Sequence, residues 1–397
     1  MPMAKWPSRA VSLAIVAFCI GAGSSRAPSQ PALSGVRLDA PVSTAAISPD
    51  GLLVAASIGR SIQHSDGSWD SSESVEVFDP SASRVIAKIE IPVSHWKDSP
   101  LSVNGFIGYC DSGHYLVVYD MFSKMYVLDA RSYRVQRTID LENLPSTGAV
   151  GIRRIACSSQ GSILGVNDAG GNYGWGHLMV YDLASGRQLS ELRQDSLSGE
   201  EFGAISLAPS GSQIAVLLEN PRWKKIRGPD IEIRNTRDLR QANDISTDDM
   251  PSDVAFVGDA EIVTAHGDRA GDPRPSKNFL RLWDARTGNE LRRFSDPQLI
   301  AEGPINASSN GRTLIAEIVK YHVCHLCDGL EGRVDVKEQR FAVWDTRTGR
   351  QLFRSDPFGP IIEPLGALCI LSQDGKVALI YWPHSETTPK VVTIPLH

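Results

Sequence analysis

The chain has 397 residues, a hydrophobic fraction of 42% and a formal charge of −6 at neutral pH. That apolar fraction can build a sizeable core, and the length allows one large repeat domain or two ordinary ones. The acidic balance excludes a general nucleic-acid binder, which needs a basic stripe against phosphates.

The first residues read as a targeting segment. "MPMAKWPSR" carries Lys5 and Arg9, "AVSLAIVAFCIGAG" is apolar but short for a bilayer span, and Ala22-Gly23-Ser24 fits a small-x-small cleavage rule. Residues 1–24 are therefore expected to be a signal peptide, with a secreted or periplasmic mature chain. Lipid anchoring through Cys19 is the alternative, although Phe18 stands where a lipoprotein signal wants a small side chain. No later stretch suits a transmembrane segment.

From residue 34 onward a repeat organises the sequence. "LMVYDLASGRQL", "LRLWDARTGNEL" and "FAVWDTRTGRQL" are strong copies; "VEVFDPSASRVI", "MYVLDARSYRVQ" and "IEIRNTRDLRQA" are weaker ones. Asp79, Asp129, Asp182, Asn235, Asp284 and Asp345 form one column, with Gly186, Gly288 and Gly349 four residues on in the best copies. A short acid can accept turn amides, and glycine supplies the left-handed conformation that closes a hairpin. A strand–turn–strand element precedes each copy, as in "AAISPDGLLVAAS" and "ALCILSQDGKVALIY". Its apolar columns include Ile107, Ile155, Ile205, Ile305 and Cys369, and Tyr109, Cys157, Leu207 and Leu371 two residues later. Positions two apart share a strand face, so these columns form one wall.

Seven copies of a four-stranded unit, strands a to d, read as an all-β, seven-bladed β-propeller over residues 34–397. The last copy lacks a strand d. "SGVRLDA", Ser34–Ala40, stands alone before the first copy and is expected to supply that edge and close the ring. The "VWD" and "LWD" endings with "SPDG" and "TRTG" turns resemble the WD-repeat family, and bacterial secreted YVTN and quinoprotein amine-dehydrogenase-like propellers are similar too. The resemblance implies a rigid platform for partners rather than an enzyme.

In such a blade the a–b and c–d turns share one face, and the b–c and d–a connections share the other. The b–c connections are long in most copies, the longest being "KYHVCHLCDGLEGRVDVKEQR". Long connections grouped on one face of a repeat protein mark a binding face. His64, Trp69, Trp175, His177, Trp223, Lys224, Lys225, Arg227, His266, Trp382 and His384 map there from b–c connections, and His95 and Trp96 from a d–a loop. This face is expected to take a protein or small ligand, with the chain acting as a monomeric, non-catalytic binding or scaffold module.

"YHVCHLCDG" concentrates the remaining chemistry. A haem anchor needs Cys-x-x-Cys-His, and Asp328 occupies the histidine position. Cys324 and Cys327 can form a local disulfide, stay as thiols, or join His322 or His325 on zinc or copper, completed by His266 or His384. The alternative to a pure binding module is therefore a metal- or cofactor-binding redox propeller built on these residues; a propeller-type hydrolase finds no nucleophile or acid-pair motif. Cys157 and Cys369 sit in the apolar columns. Cys110 is out of phase with Cys157, so their side chains face opposite ways and no bridge between them is expected.

Overall fold

The structure is a computed structural model that describes residues 33–35, 42–63, 69–91, 105–120, 124–141, 152–168, 176–193, 201–219, 230–247, 251–266, 280–296, 300–324, 333–357, 368–381 and 390–394. Its strands all lie within one compact unit, Ala32–His397.

They form seven four-stranded antiparallel sheets. After β1 (Leu33–Gly35), blade 1 holds β2 (Val42–Ile47), β3 (Val54–Gln63), β4 (Trp69–Asp79) and β5 (Arg84–Glu90). Blade 2 holds β6 (Phe106–Cys110), β7 (Tyr115–Tyr119), β8 (Lys124–Asp129) and β9 (Val135–Asp140). Blade 3 holds β10 (Ile152–Cys157), β11 (Ile163–Asp168), β12 (His177–Asp182) and β13 (Gln188–Arg193). Blade 4 holds β14 (Glu201–Leu207), β15 (Gln213–Glu219), β16 (Ile231–Asn235) and β17 (Gln241–Ile245). Blade 5 holds β18 (Asp253–Val257), β19 (Glu261–Ala265), β20 (Leu280–Asp284) and β21 (Glu290–Phe294). Blade 6 holds β22 (Ile300–Ala307), β23 (Thr313–Cys324), β24 (Arg333–Asp345) and β25 (Gln351–Arg354). Blade 7 holds β26 (Leu368–Leu371), β27 (Val377–Tyr381) and β28 (Lys390–Thr393), and β1 completes it, with Leu33 opposite Val392 and Gly35 opposite Lys390. The ring is thus closed by the strand that precedes the first repeat, which removes the open edge of the last blade.

Alternation along each strand sends side chains to both faces of its sheet, and both faces are covered. Seven apolar clusters follow, each spanning the space between two neighbouring blades. Between blades 2 and 3, for example, Val117, Met125 and Val127 meet Leu164, Val166 and Met179. Each such fully buried aliphatic side chain contributes about 1.5–3 kcal/mol. Because the two faces of one blade serve two different interfaces, the ring holds together cooperatively.

The repeated Asp column caps the c–d turns as its chemistry demands. Asp79, Asp129, Asp182, Asp284 and Asp345 each accept turn N–H groups. These bonds hold all five carboxyls below the ordinary Asp range; for Asp182 and Asp345 they outweigh a larger opposing effect of burial. Gly186, Gly288 and Gly349 adopt φ values of 73°, 71° and 74°. The weaker copies place Ser83, Tyr133 and Leu239 in the same left-handed conformation, at a cost of about 1 kcal/mol each relative to glycine.

The long b–c connections of blades 1 and 6 differ from the loops expected. The ladder continues out to Gln63 opposite Trp69 in blade 1, and to Cys324 opposite Arg333 in blade 6. A long antiparallel connection satisfies its own backbone by extending the hairpin, and runs such as "RVDV" suit that pairing. Both blades therefore carry a β-ribbon on the b–c side.

Candidate functional site

The innermost strands β2, β6, β10, β14, β18, β22 and β26 surround a central channel. Its cavity measures about 320 Å³ and takes lining residues from all seven blades. Ile47, Ile107, Ile155, Ile205, Ile305 and Ile370 contribute to the wall, and Asp253 is the one charged residue among the described residues that line it.

An innermost strand has no partner on its channel side, so its N–H groups there need acceptors. Side chains from the preceding blade supply them. Ser206 Oγ accepts the Phe256 N–H at 2.9 Å, and Asn306 Oδ1 accepts the Leu371 N–H at 2.9 Å. Asp253 does the same between blades 5 and 6: Oδ2 accepts the Ile305 N–H at 2.9 Å, and Oδ1 accepts its neighbour Val254's N–H at 2.9 Å. Desolvation in the channel raises the Asp253 carboxyl above the ordinary Asp range, against the lowering effect of the two N–H bonds and of the Arg154 charge. Arg154 immediately precedes Ile155 in blade 3 as Asp253 immediately precedes Val254 in blade 5; Ala204, small and buried, holds that place in the blade between them.

The a–b turn end of the channel is bolted. Ser112 N–H donates to Ser159 O, Gln160 N–H to Pro209 O, and Gln373 N–H to Pro49 O, each joining adjacent blades. Gln373 then reaches across the ring, its Nε2 donating to Ser159 O at 2.6 Å, from blade 7 to blade 3. A side chain that bridges opposite blades leaves little passage beneath it. The cavity is therefore floored at the turn end, and Asp253, at the start of its strand, stands toward the b–c/d–a end.

The residues expected on the b–c/d–a face fall into three groups. His64, His95, Trp96, Trp175, Trp223, Lys224, Lys225, Arg227, His325, Cys327, Trp382 and His384 lie outside the described residues. Trp69, His322 and Cys324 lie in the ribbons; His322 is registered opposite Asp335 and Cys324 opposite Arg333. His177 and His266 are described in full, and both rings are buried, each residue 2% exposed. His177 opens β12, with Nδ1 3.7 Å from Glu191 Oε1. His266 follows β19, and its Nε2 is 2.6 Å from Thr264 Oγ1, which also accepts the Trp283 indole N–H at 2.9 Å. These two histidines belong to blade cores and do not offer their rings to solvent. Among the described residues no group of three or more His, Cys, Asp and Glu side chains is arranged to hold a metal, and no helix is long and apolar enough to cross a membrane.

One expectation is overturned. Cys110 and Cys157 form a disulfide, with Cα atoms 5.6 Å apart. Their opposite phase along the strand is the reason they meet. Neighbouring blades stack face to face, so a side chain on the rear face of one meets a side chain on the front face of the next. Cys110 lies with Val117 and Val127, while Cys157 lies with Leu164 and Val166, in the same interface. A signal was present in the repeat. Cys110 replaces the turn serine that Ser48, Ser308 and Ser372 provide in other blades, where the hydroxyl accepts the N–H five residues on. Cys369 is a free, buried thiol whose pKa is raised by desolvation first, and by Glu317 and Asp253.

The chain is a seven-bladed β-propeller. Among solved structures it is similar to the Cps50 (Swd1) beta-propeller domain of Myceliophteria thermophila, with a TM-score of 0.57, 12% identity, and coverage of 92% of this chain and 100% of that one. At that identity the likeness concerns the fold. No family model matches the chain, and no curated protein matches it in sequence.

Proposed function

We propose that this propeller is a non-catalytic binding module that presents its b–c/d–a face to a protein or small ligand. The observation that carries the reading is the difference between the two faces. The a–b end is bolted blade to blade and crossed by Gln373, whereas two ribbons extend on the b–c side and Asp253, the one charged lining residue among those described, stands toward that side. A rigid ring with decoration on one face is the architecture of a platform.

We also place the mature chain in an oxidising compartment outside the cytoplasm. Lys5, Arg9 and the apolar run after them support export, and the Cys110–Cys157 pairing supports conditions in which disulfides persist.

The test is affinity capture with three versions of the chain: native, one with both ribbons (residues 59–73 and 320–338) replaced by Asn-Gly turns, and Leu52→Asp on the a–b face. Equal thermal melting establishes that all three fold. Partners retained by the native chain and by Leu52→Asp but lost from the ribbon-trimmed chain support the proposal. Loss with Leu52→Asp alone would place the binding surface on the opposite face.

A further inference from the structure

The turn end of the ring carries a repeated charge that the fold does not use. Counted from the Asp/Asn column, Arg84, Arg134, Arg187, Arg240 and Arg350 stand five residues on, and Arg131, Arg237, Arg286 and Arg347 two residues on. The six c–d turns thus hold nine arginines against six acids, in a chain whose net charge is −6. The two signs also differ in exposure. Asp79, Asp129, Asp182, Asp284 and Asp345 are half-buried and bond turn N–H groups. All nine arginines are exposed, and none is held in an ion pair among the described residues. What faces outward at this rim is therefore positive.

Apolar side chains stand beside that charge. The six large apolar residues exposed among the described residues all lie at the turn end: Leu52 on an a–b turn, and Val85, Ile86, Val135, Leu189 and Leu291 within the first three residues of outer strands. Five of the six belong to blades 1–3. A protein interface gathers its apolar side chains into a core and keeps charge at the edge. Here Val85 directly follows Arg84, Val135 directly follows Arg134, and Leu189 lies two residues beyond Arg187. Such mixing suits the headgroup region of a bilayer, where a guanidinium meets lipid phosphate and its apolar neighbour enters the acyl boundary. The a–b turns, nearer the channel, carry Asp50, Asp111, Asp259 and Asp374, so the contact belongs to the outer rim and not to the channel mouth. We infer that the c–d rim of blades 1–3 docks on an anionic lipid bilayer, with Arg84, Arg131, Arg134 and Arg187 on lipid phosphates and Val85, Val135 and Leu189 inserted beside them. This contact leaves the b–c/d–a face free, so it goes beyond the reading above and does not depend on it.

Co-sedimentation of the purified full chain with lipid vesicles tests it. Vesicles of phosphatidylcholine alone are compared with vesicles of equal parts phosphatidylcholine and phosphatidylglycerol, and heparin serves as a soluble polyanion. Residues 1–24 are the same in every sample, so differences between variants report on the rim. The native chain should prefer the anionic vesicles. Combining Arg84→Gln, Arg134→Gln and Arg187→Gln should weaken that binding about a hundredfold, at about fivefold per arginine. The same three positions changed to lysine should keep it within about threefold of native, which a loss of folding would not allow. Combining Val85→Thr, Val135→Thr and Leu189→Thr keeps the charge and suits an exposed strand. It should weaken vesicle binding about tenfold and leave heparin binding unchanged. Native chain that binds both vesicles equally, or a glutamine variant that binds as native does, overturns the inference. Unchanged vesicle binding by the threonine variant overturns the bilayer as the partner and assigns the rim to a soluble polyanion.

Discussion

Blades 5 and 6 come from the same repeat and place a tryptophan at the same point of strand c, yet they solve its burial differently. Trp283 packs at the interface with blade 4, and Trp344 at the interface with blade 5. Two residues beyond the site opposite each tryptophan, strand b carries Thr264 in blade 5 and Ala316 in blade 6. Two further on come His266 and Ile318, and across from Thr264 and Ala316 come Arg281 and Ala342. Thr264 therefore ties the Trp283 indole N–H to His266, with the Arg281 guanidinium 5.8 Å from the Trp283 ring. Trp344 instead leans on Phe294, ring centroids 6.4 Å apart, and its indole N–H has no partner among the described residues. One interface is held by a polar network and the other by apolar packing that tolerates an unsatisfied donor. The lesson is that the ring needs volume and shape at this position, and that polarity there is an addition local to blade 5.

The largest effect expected at the network comes from Thr264→Val, which keeps the shape but deprives both Trp283 and His266 of their oxygen. A loss of about 1–3 kcal/mol follows from removing the oxygen that the buried Trp283 indole N–H bonds, read from urea midpoints at constant m. A loss below about 0.5 kcal/mol would show that the network contributes little.

A paired comparison is next. Trp283→Phe and Trp344→Phe remove similar volume, but only the first breaks a hydrogen bond. Trp283→Phe should be the more destabilising by about 1 kcal/mol, and equal losses would erase the distinction between the two interfaces. Conversely, Ala316→Ser introduces into blade 6 the acceptor that blade 5 already has. It should stabilise by about 0.5–1 kcal/mol, whereas a loss would mean that the apolar interface cannot admit a hydroxyl.

The smallest effect is a change of slope with pH, and it separates the charged acceptor of blade 5 from the neutral one of blade 6. Asp253 has a raised carboxyl pKa, so the folded state holds its proton more tightly than the unfolded chain. That contribution is present below the unfolded value of 3.8 and is lost as pH rises through the raised folded value. Asp253→Asn should flatten this falling arm. The turn aspartates act in the opposite sense: their depressed pKa values stabilise above 3.8 and cease to do so as pH falls through the folded values. The acid arm should therefore survive in Asp253→Asn, and Asn306→Ala should leave both slopes unchanged.

Much of this architecture was legible because the repeat is periodic. The Asp column, the turn glycines, seven blades and the closing strand each leave a mark at a fixed offset. What the repeat could not show is contact between blades. Cys110 and Cys157 were misread because strand phase was considered within a sheet, when the relevant geometry is the stacking of one sheet on the next. Asp253 escaped notice because its blade has Val257 where most others have a turn serine, so the fifth copy aligned weakly. Gln373 looked like an ordinary turn residue, since nothing local signals a bond to a carbonyl 214 residues away. Counting along a blade could not show the burial of His177 and His266, which depends on the neighbouring sheet.

The claim that the turn end of the channel is sealed is tested most directly by amide hydrogen exchange on the native chain. The account predicts slow exchange for the N–H groups of Ser112, Gln160 and Gln373 at the turn end, which are bonded between blades, and faster exchange in Gly59–Gln63 and Tyr321–Cys324 of the two ribbons. Gln373→Ala should speed exchange at the turn end alone. Rapid exchange of Ser112, Gln160 and Gln373 in the native chain, at the rate of the ribbons, would contradict it.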